Sequence, residues 1–175
     1  MSPYKPPYIS NSRHLLFPCR KCLICRIRIR NEWTTRMIFE SFVSGSSFFV
    51  TLTYSNDFLP NDGMLSKRDL QLFLKRLRKR VSPVKIRYFA CGEYGERFHR
   101  PHYHLIIWNL PKDTAKELIS DSWNMGIVDV KEALPSAFRY VAGYVVKKYS
   151  KYNDVKEFTL MSRPWNRFWI FGTFI

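Results

Sequence analysis

KIRYFACGEYGERFHRPHYHLIIW, residues 85–108, holds two apolar and aromatic runs separated by a stretch of Gly, Glu and Arg. Lys85 to Cys91, just after Pro83, reads as one strand and His102 to Trp108 as the next. Only about ten residues separate them, a connection that joins antiparallel neighbours, so the two strands form a hairpin. Side chains alternate along a strand, which puts His102 and His104 on one face and Tyr103 on the other. The hairpin carries Glu93, at the end of its first strand, toward the two imidazoles. Two histidines and one carboxylate fill three positions of a divalent ion and leave the rest open to water or phosphate oxygens. Glu96 is close enough in the chain to be the third ligand instead. H-x-H alone also describes two partly buried histidines bonded to backbone carbonyls, and non-haem iron oxygenases share this ligand set, so the rest of the chain has to decide.

Upstream, SFFVTLTY at 47–54 is rich in β-branched and aromatic residues and predicts a strand. Ser66-x-x-Asp69 resembles a capping box, and Leu70, Phe73, Leu74, Leu77 and Val81 follow at helical spacing, with a basic run on the other face. From Arg26 to Ser41 the pattern of Ile27, Trp33, Met37, Ile38 and Phe42 fits a basic amphipathic helix ended by Gly45. Downstream, Thr114-x-x-Glu117 is a second capping box, and Ala115, Leu118, Ile119 and Trp123 give the next helix its apolar face. A short strand, Ile127 to Val130, and a helix, Ser136 to Tyr149, complete the pattern. This order predicts an α+β fold: a central antiparallel sheet of about five strands flanked by helices, as in RRM-like folds. Residues 1–175 read as a single domain, with an irregular proline-rich arm over 1–18 and a Cys-rich segment over 19–25. The apolar ending FWIFGTFI is a buried strand, a partner contact or the stump of a longer chain.

Lys and Arg outnumber Asp and Glu by 29 to 14, a net charge of +15 that favours a polyanionic partner, with nucleic acid the obvious one. The charge gathers in CRKCLICRIRIR, KRLRKR and KKYSK, interleaved with aromatic residues. That pattern suits phosphate contact and base stacking through Arg26, Arg28, Arg30, Arg36, Arg76, Arg78, Lys79, Arg80, Arg100 and Lys148. No run of eighteen apolar residues exists to cross a bilayer, and MSPYKPPYIS lacks the marks of an export signal, so no membrane role is expected.

Cys19, Cys22 and Cys25 form a C-x2-C-x2-C knot, with Cys91 alone. In a reducing compartment such spacing suggests Zn2+, with His14 or Cys91 completing four ligands; iron–sulfur clusters use similar spacing, and three ordinary thiols would read alike. Tyr140, Tyr144 and Lys147 fall on one helical stripe that ends in lysines, beside an apolar face of Val141 and Val145, so the stripe is expected to look out onto a site. Gly143 in mid-helix implies close backbone packing or passing DNA.

The ordered set FVTLTY, GEYG with RPHYH, and YVAGYVVKK resembles the HUH endonucleases, in particular the two-tyrosine replication initiators of microviruses. PCRKCLICR with Trp33 and Arg36 is similar to the start of the gokushovirus-type initiators. The resemblance spans residues 17 to about 162, and the chain from Met161 onward fits it less well. It implies that His102, His104 and Glu93 hold Mg2+ or Mn2+, that Tyr140 and Tyr144 are paired nucleophiles, and that Lys147, or Lys148 beside it, assists them. Thr51 and Thr53 would belong to a strand supporting DNA binding and the site floor. The implied activity is nicking and rejoining of a single-stranded DNA origin for rolling-circle replication, through a 5′-phosphotyrosine, in the cytoplasm of a bacterial host. With no G-x4-GK[ST] motif, helicase and polymerase would come from the host. A non-catalytic RRM-like nucleic-acid binder and a single-tyrosine relaxase or transposase of the same superfamily are the alternatives.

Overall fold

The computed structural model describes residues 19, 22–95, 97–147 and 158–162. Along the chain run α1 (Leu23–Val43), β1 (Ser47–Thr53), α2 (Lys67–Val81), β2 (Arg87–Tyr94), β3 (Pro101–Trp108), α3 (Ala115–Trp123), β4 (Val128–Glu132), α4 (Pro135–Lys147) and β5 (Phe158–Met161). The strands form one antiparallel sheet in the order β4-β1-β3-β2-β5, so the H-x-H strand lies at its centre. The hairpin forms as expected, with Glu93 paired to His102 and Cys91 to His104. On the other side of β3, Thr51 pairs with His104 and Thr53 with His102. Directly paired residues share a face, so both threonines, both histidines and Glu93 belong to one surface of the sheet.

Each face carries its own helical layer. Phe48, Val50, Leu52, Leu105 and Ile107 pack with Leu70, Phe73, Leu74 and Leu77 of α2 and with Ile119 and Trp123 of α3. On the face of the histidines, Phe89, Cys91, Ile106 and Trp108 pack with Met37 of α1 and Phe138, Val141, Ala142 and Tyr144 of α4. Fully burying side chains of this size contributes about 1.5–3 kcal/mol each, which fixes the register more firmly than the ladder alone.

Tyr103, between the two histidines, points into the opposite layer and is fully buried. Its hydroxyl accepts from the Ser66 amide at 2.8 Å, donates to the Ser66 carbonyl at 3.1 Å, and lies 2.9 Å from the Tyr54 hydroxyl. Tyr54 in turn donates to Asp69 at 2.8 Å, and Ser66 caps α2 by accepting from the Asp69 amide. The strand that carries the histidines is thus tied from behind to the start of α2.

Burial raises the pKa of Tyr103, to about 12, and also raises that of Tyr54, where the hydrogen bond to Tyr103 adds to it. Groups whose folded pKa lies above the unfolded value stabilise fully below the ordinary value of about 10, and that stabilisation is lost as pH rises beyond it. Thermal unfolding midpoints should therefore hold steady near neutrality and fall above pH about 10, by up to about 1.4 kcal/mol per pH unit for each such tyrosine. In a pH series of melts Tyr54→Phe should have a shallower alkaline limb. An equal slope in that variant would refute the assignment.

Several expectations need correction. α1 starts at Leu23 rather than Arg26 and runs to Val43, and Ile27 and Phe42, expected on its core face, are exposed. Thr114 makes no side-chain cap, because its backbone (φ −113°, ψ 0°) is not in the extended conformation that directs a capping hydroxyl to the helix. β5 is a fifth strand that periodicity did not delimit, pairing with the outer side of β2. α4 starts at Pro135 rather than Ser136, and its expected end at Tyr149 lies outside the described residues. The arm over 1–18 and the terminal FWIFGTFI lie outside the described residues. Gly126 has a clear purpose: a Cβ there would stand 2.2 Å from the Thr53 carbonyl oxygen, where the chain crosses the end of β1 into β4.

Candidate active site

His104 is the centre of the arrangement and is buried. Its Nε2 lies 2.8 Å from Glu93 Oε1 and its Nδ1 lies 3.1 Å from Thr51 Oγ1. A hydroxyl can donate or accept, so Thr51 suits either tautomer: it donates when Nε2–H serves Glu93, and accepts when Nε2 carries an ion. His102 is more exposed. Its Nδ1 donates to the Arg100 carbonyl at 2.6 Å, which leaves Nε2 as the ligand nitrogen. The ring lies against Gly95, where a Cβ would come 2.8 Å from His102 Cε1, so the second glycine of GEYG makes room for it.

Glu93 Oε1 and His104 Nε2, 2.8 Å apart, stand as neighbouring ligands of one divalent ion would, whereas His102 is not brought together with them: among the described residues the ligand atoms of His102, His104 and Glu93 do not all fall within 4.8 Å of one another. The hairpin brings Glu93 against His104, while His102 is its register partner across the strands. Glu96, the alternative third ligand, lies outside the described residues.

α4 closes the site. The Tyr144 ring stacks on His104 with centroids 5.1 Å apart and planes within 8°, and Phe49 of β1 stacks on the same imidazole at 5.7 Å. Tyr140 meets His104 edge-on at 5.7 Å, and the Tyr144 hydroxyl donates to that of Tyr140. The two phenols differ in setting. Tyr144 is 5% exposed and Tyr140 53%, so the stripe expected to look outward has one tyrosine in the core and one at the surface. Burial raises the Tyr144 pKa well above the ordinary phenol value, and the bond to Tyr140 and the Glu93 carboxylate add to the effect. Of Lys147 the backbone alone is described, and Lys148 lies outside the described residues.

A Cβ on Gly143 would have nothing within 4 Å, which removes close packing as the reason for this glycine. Gly143→Ala should raise thermal stability by up to about 1 kcal/mol through helix propensity. A destabilised variant in a melting experiment would contradict the open space.

The cationic residues divide between the two layers. Arg76, Arg78, Lys79 and Arg80 belong to α2, across the sheet from the histidines; Arg76 donates to the Ser122 carbonyl, Arg80 pairs with Asp121, and Arg78 lies over Tyr88. Arg26, Arg28, Arg30 and Arg36 lie on α1, in the same layer as the tyrosines. Arg28 pairs with Glu32, and Arg36 covers Trp33. Arg100 bonds the Tyr54 carbonyl and Asn56, tying the hairpin loop to the end of β1. Thr53 donates to the Ile127 carbonyl at 3.3 Å, a structural contact. The sulfurs of Cys19, Cys22 and Cys25 lie within 4.8 Å of one another, the one such trio of metal-ligating atoms among the described residues. Cys91 is not among them, because its thiol faces the His104 carbonyl within the sheet; His14 lies outside the described residues.

A family model for replication-associated proteins of the ORF2 type matches residues 47–149, from the first strand through the tyrosine helix. The chain belongs to this family. The replication-associated protein VP4 of Bdellovibrio phage phiMH2K is 33% identical over 159 residues, 79% of this chain and 50% of that protein. The replication-associated protein ORF2 of Spiroplasma virus 4 is 32% identical, over 75% of this chain and 48% of that protein. The replication-associated protein ORF4 of Chlamydia phage 1 is 30% identical, over 75% of this chain and 38% of that protein. The chain thus spans about half the length or less of these relatives. No solved structure matches. The likeness to microvirus replication proteins is borne out, and the family segment holds every histidine, carboxylate and tyrosine of the site, whereas the thiol trio precedes it.

Phe49 and Gly95 were missed by sequence reading. Phe49 is one of many aromatics, and its diagonal approach to His104 follows only from the register; Gly95 was quoted within GEYG without a purpose.

Proposed function

We propose that this chain is the nicking and joining domain of a phage replication initiator, acting on single-stranded DNA through a phosphotyrosine. The observation that carries this reading is the stacking of Tyr144 on His104, with Tyr140 edge-on beside them. Helix and hairpin are distant in the chain, and packing alone does not call for two hydrogen-bonded phenols, one of them exposed, beside a histidine–carboxylate pair. His102, His104 and Glu93 would hold Mg2+ or Mn2+, which supplies Lewis-acid polarisation of a phosphate when bound.

The protein side of the reaction follows from the chain's own groups. The Tyr140 oxygen, exposed and receiving a hydrogen bond from Tyr144, attacks phosphorus and forms a phenolic ester with the 5′ side. The bond from phosphorus to the 3′ oxygen breaks, and the phenol proton ends on that oxygen by way of solvent. The free 3′-OH primes a polymerase. Ester energy is kept in the adduct, so rejoining needs no nucleotide cofactor. Tyr144 is the second nucleophile, reached after α4 shifts, and attacks a regenerated origin while the first adduct resolves. Lys147, or Lys148 beside it in the chain, assists the nucleophiles with cationic charge. Helicase and polymerase are host proteins, and the setting is the bacterial cytoplasm.

Incubation with single strands tiled across a phage origin and Mn2+ should give a protein–DNA adduct stable to boiling in detergent. A chelator should abolish it. Tight binding of those strands, unchanged by chelator and by His102→Ala and without any cleavage, would instead make the chain a binding module.

A further inference from the structure

The thiol trio has no part in this chemistry, yet its geometry is specific. Cys19 Sγ and Cys25 Sγ stand 3.8 Å apart, and all three sulfurs fall within 4.8 Å of one another. Two thiolates on one tetrahedral ion with bonds of about 2.3 Å stand about 3.8 Å apart. A disulfide would need about 2.05 Å, and thiolates bound to separate irons of a cluster are held further apart by the cluster's own metal–metal edge. The Cys22 amide points at Cys19 Sγ at 3.3 Å, a contact that favours the anionic sulfur a metal requires. The trio also gathers at the start of α1, with Cys25 in the first turn, Cys22 at the N-cap position and Cys19 ahead of it; that first turn has no acidic residue and no side-chain cap. Thiolates would supply the negative charge that this 21-residue helix otherwise lacks at its positive end.

The next residue links this corner to the candidate active site. Arg26, directly after Cys25, donates from Nη2 to the Val146 carbonyl at 2.9 Å, in the last turn of α4 and two residues beyond Tyr144. We propose that Cys19, Cys22 and Cys25 bind a single zinc ion, which fixes the first turn of α1 and, through Arg26, the end of the tyrosine helix. The ion is a positioning element. It stands apart from the open imidazole site, whose harder donors suit Mg2+ or Mn2+.

The test uses the whole 175-residue chain and no DNA, so its outcome is independent of the nickase reading. Protein purified without chelator and dialysed against metal-free buffer should retain about one zinc per chain by elemental mass spectrometry. After exchange into Co2+ it should show a thiolate-to-cobalt charge-transfer band and the visible bands of a tetrahedral ion. His102→Ala should keep both, which separates this site from the imidazole site. Removing the zinc should speed amide exchange over residues 143–147 at least about tenfold, and Arg26→Gln should do the same while zinc is retained. Absence of a thiolate band on adding cobalt to the reduced wild-type chain would overturn the proposal, a reading that needs no cysteine variant to fold. So would iron with acid-labile sulfide, or zinc that persists in the triple variant Cys19→Ser, Cys22→Ser, Cys25→Ser. Exchange over α4 unchanged by zinc removal would overturn the link to the tyrosine helix.

Discussion

Tyr140→Phe is expected to reduce first-turnover adduct formation by about a thousandfold or more, while Tyr144→Phe leaves it within about tenfold of the wild type. The asymmetry comes from burial and from the direction of one hydrogen bond. Tyr140 is open to an incoming phosphate, and its oxygen accepts from Tyr144, which stabilises the charge that forms as the phenol loses its proton. Tyr144 is packed against His104 and held neutral by burial, so it reaches a phosphate only after α4 moves. Losing the Tyr144 donor removes help from Tyr140 but not the nucleophile itself. Denaturing gels of a labelled origin strand, quenched within one turnover, measure both variants directly. Equal loss in the two, or a greater loss in Tyr144→Phe, would reverse the assigned order; an adduct surviving in the double variant would dismiss both phenols.

The second large effect separates two histidines that look alike in H-x-H. His104→Ala should lower stability by about 3 kcal/mol, because it opens a cavity between Phe49 and Tyr144 and removes one hydrogen-bond partner of a buried carboxylate. For a chain of this size that is a fall in melting temperature of about 10 °C. His102→Ala removes a more exposed ring held by one backbone carbonyl, and should shift melting by about 2 °C or less. Both should lose Mn2+-dependent cleavage by at least about a hundredfold. Scanning calorimetry beside a cleavage assay reads the two effects separately. Equal melting shifts would mean that the stack around His104 adds nothing to the fold.

The hairpin and the shared face of His102, His104 and Glu93 were legible because a strand's period of two leaves a short antiparallel connection no other register that buries HLIIW. Ser66 was legible as a cap, since its hydroxyl needs only local geometry. Thr114 had the same spacing and failed, because its backbone conformation is set by the turn after β3 rather than by the motif. The tyrosine stripe was found, but periodicity does not say which of its residues faces inward. That depends on how α4 lies against α1 and the sheet, which placed Tyr144 under cover and left Tyr140 in the open. The bonds of Arg100 to Tyr54 and Asn56 were not legible, because they join segments forty-odd residues apart.

The backward-pointing phenol of Tyr103 couples folding to chemistry. Sliding β3 by one residue would turn that phenol toward Glu93 and the tyrosine helix and send both imidazoles into the hydrocarbon behind, while the start of α2 lost its anchor. A mispaired copy therefore has no half-working form, and any molecule that threads its central strand correctly has its ligand pair aimed the right way from the outset.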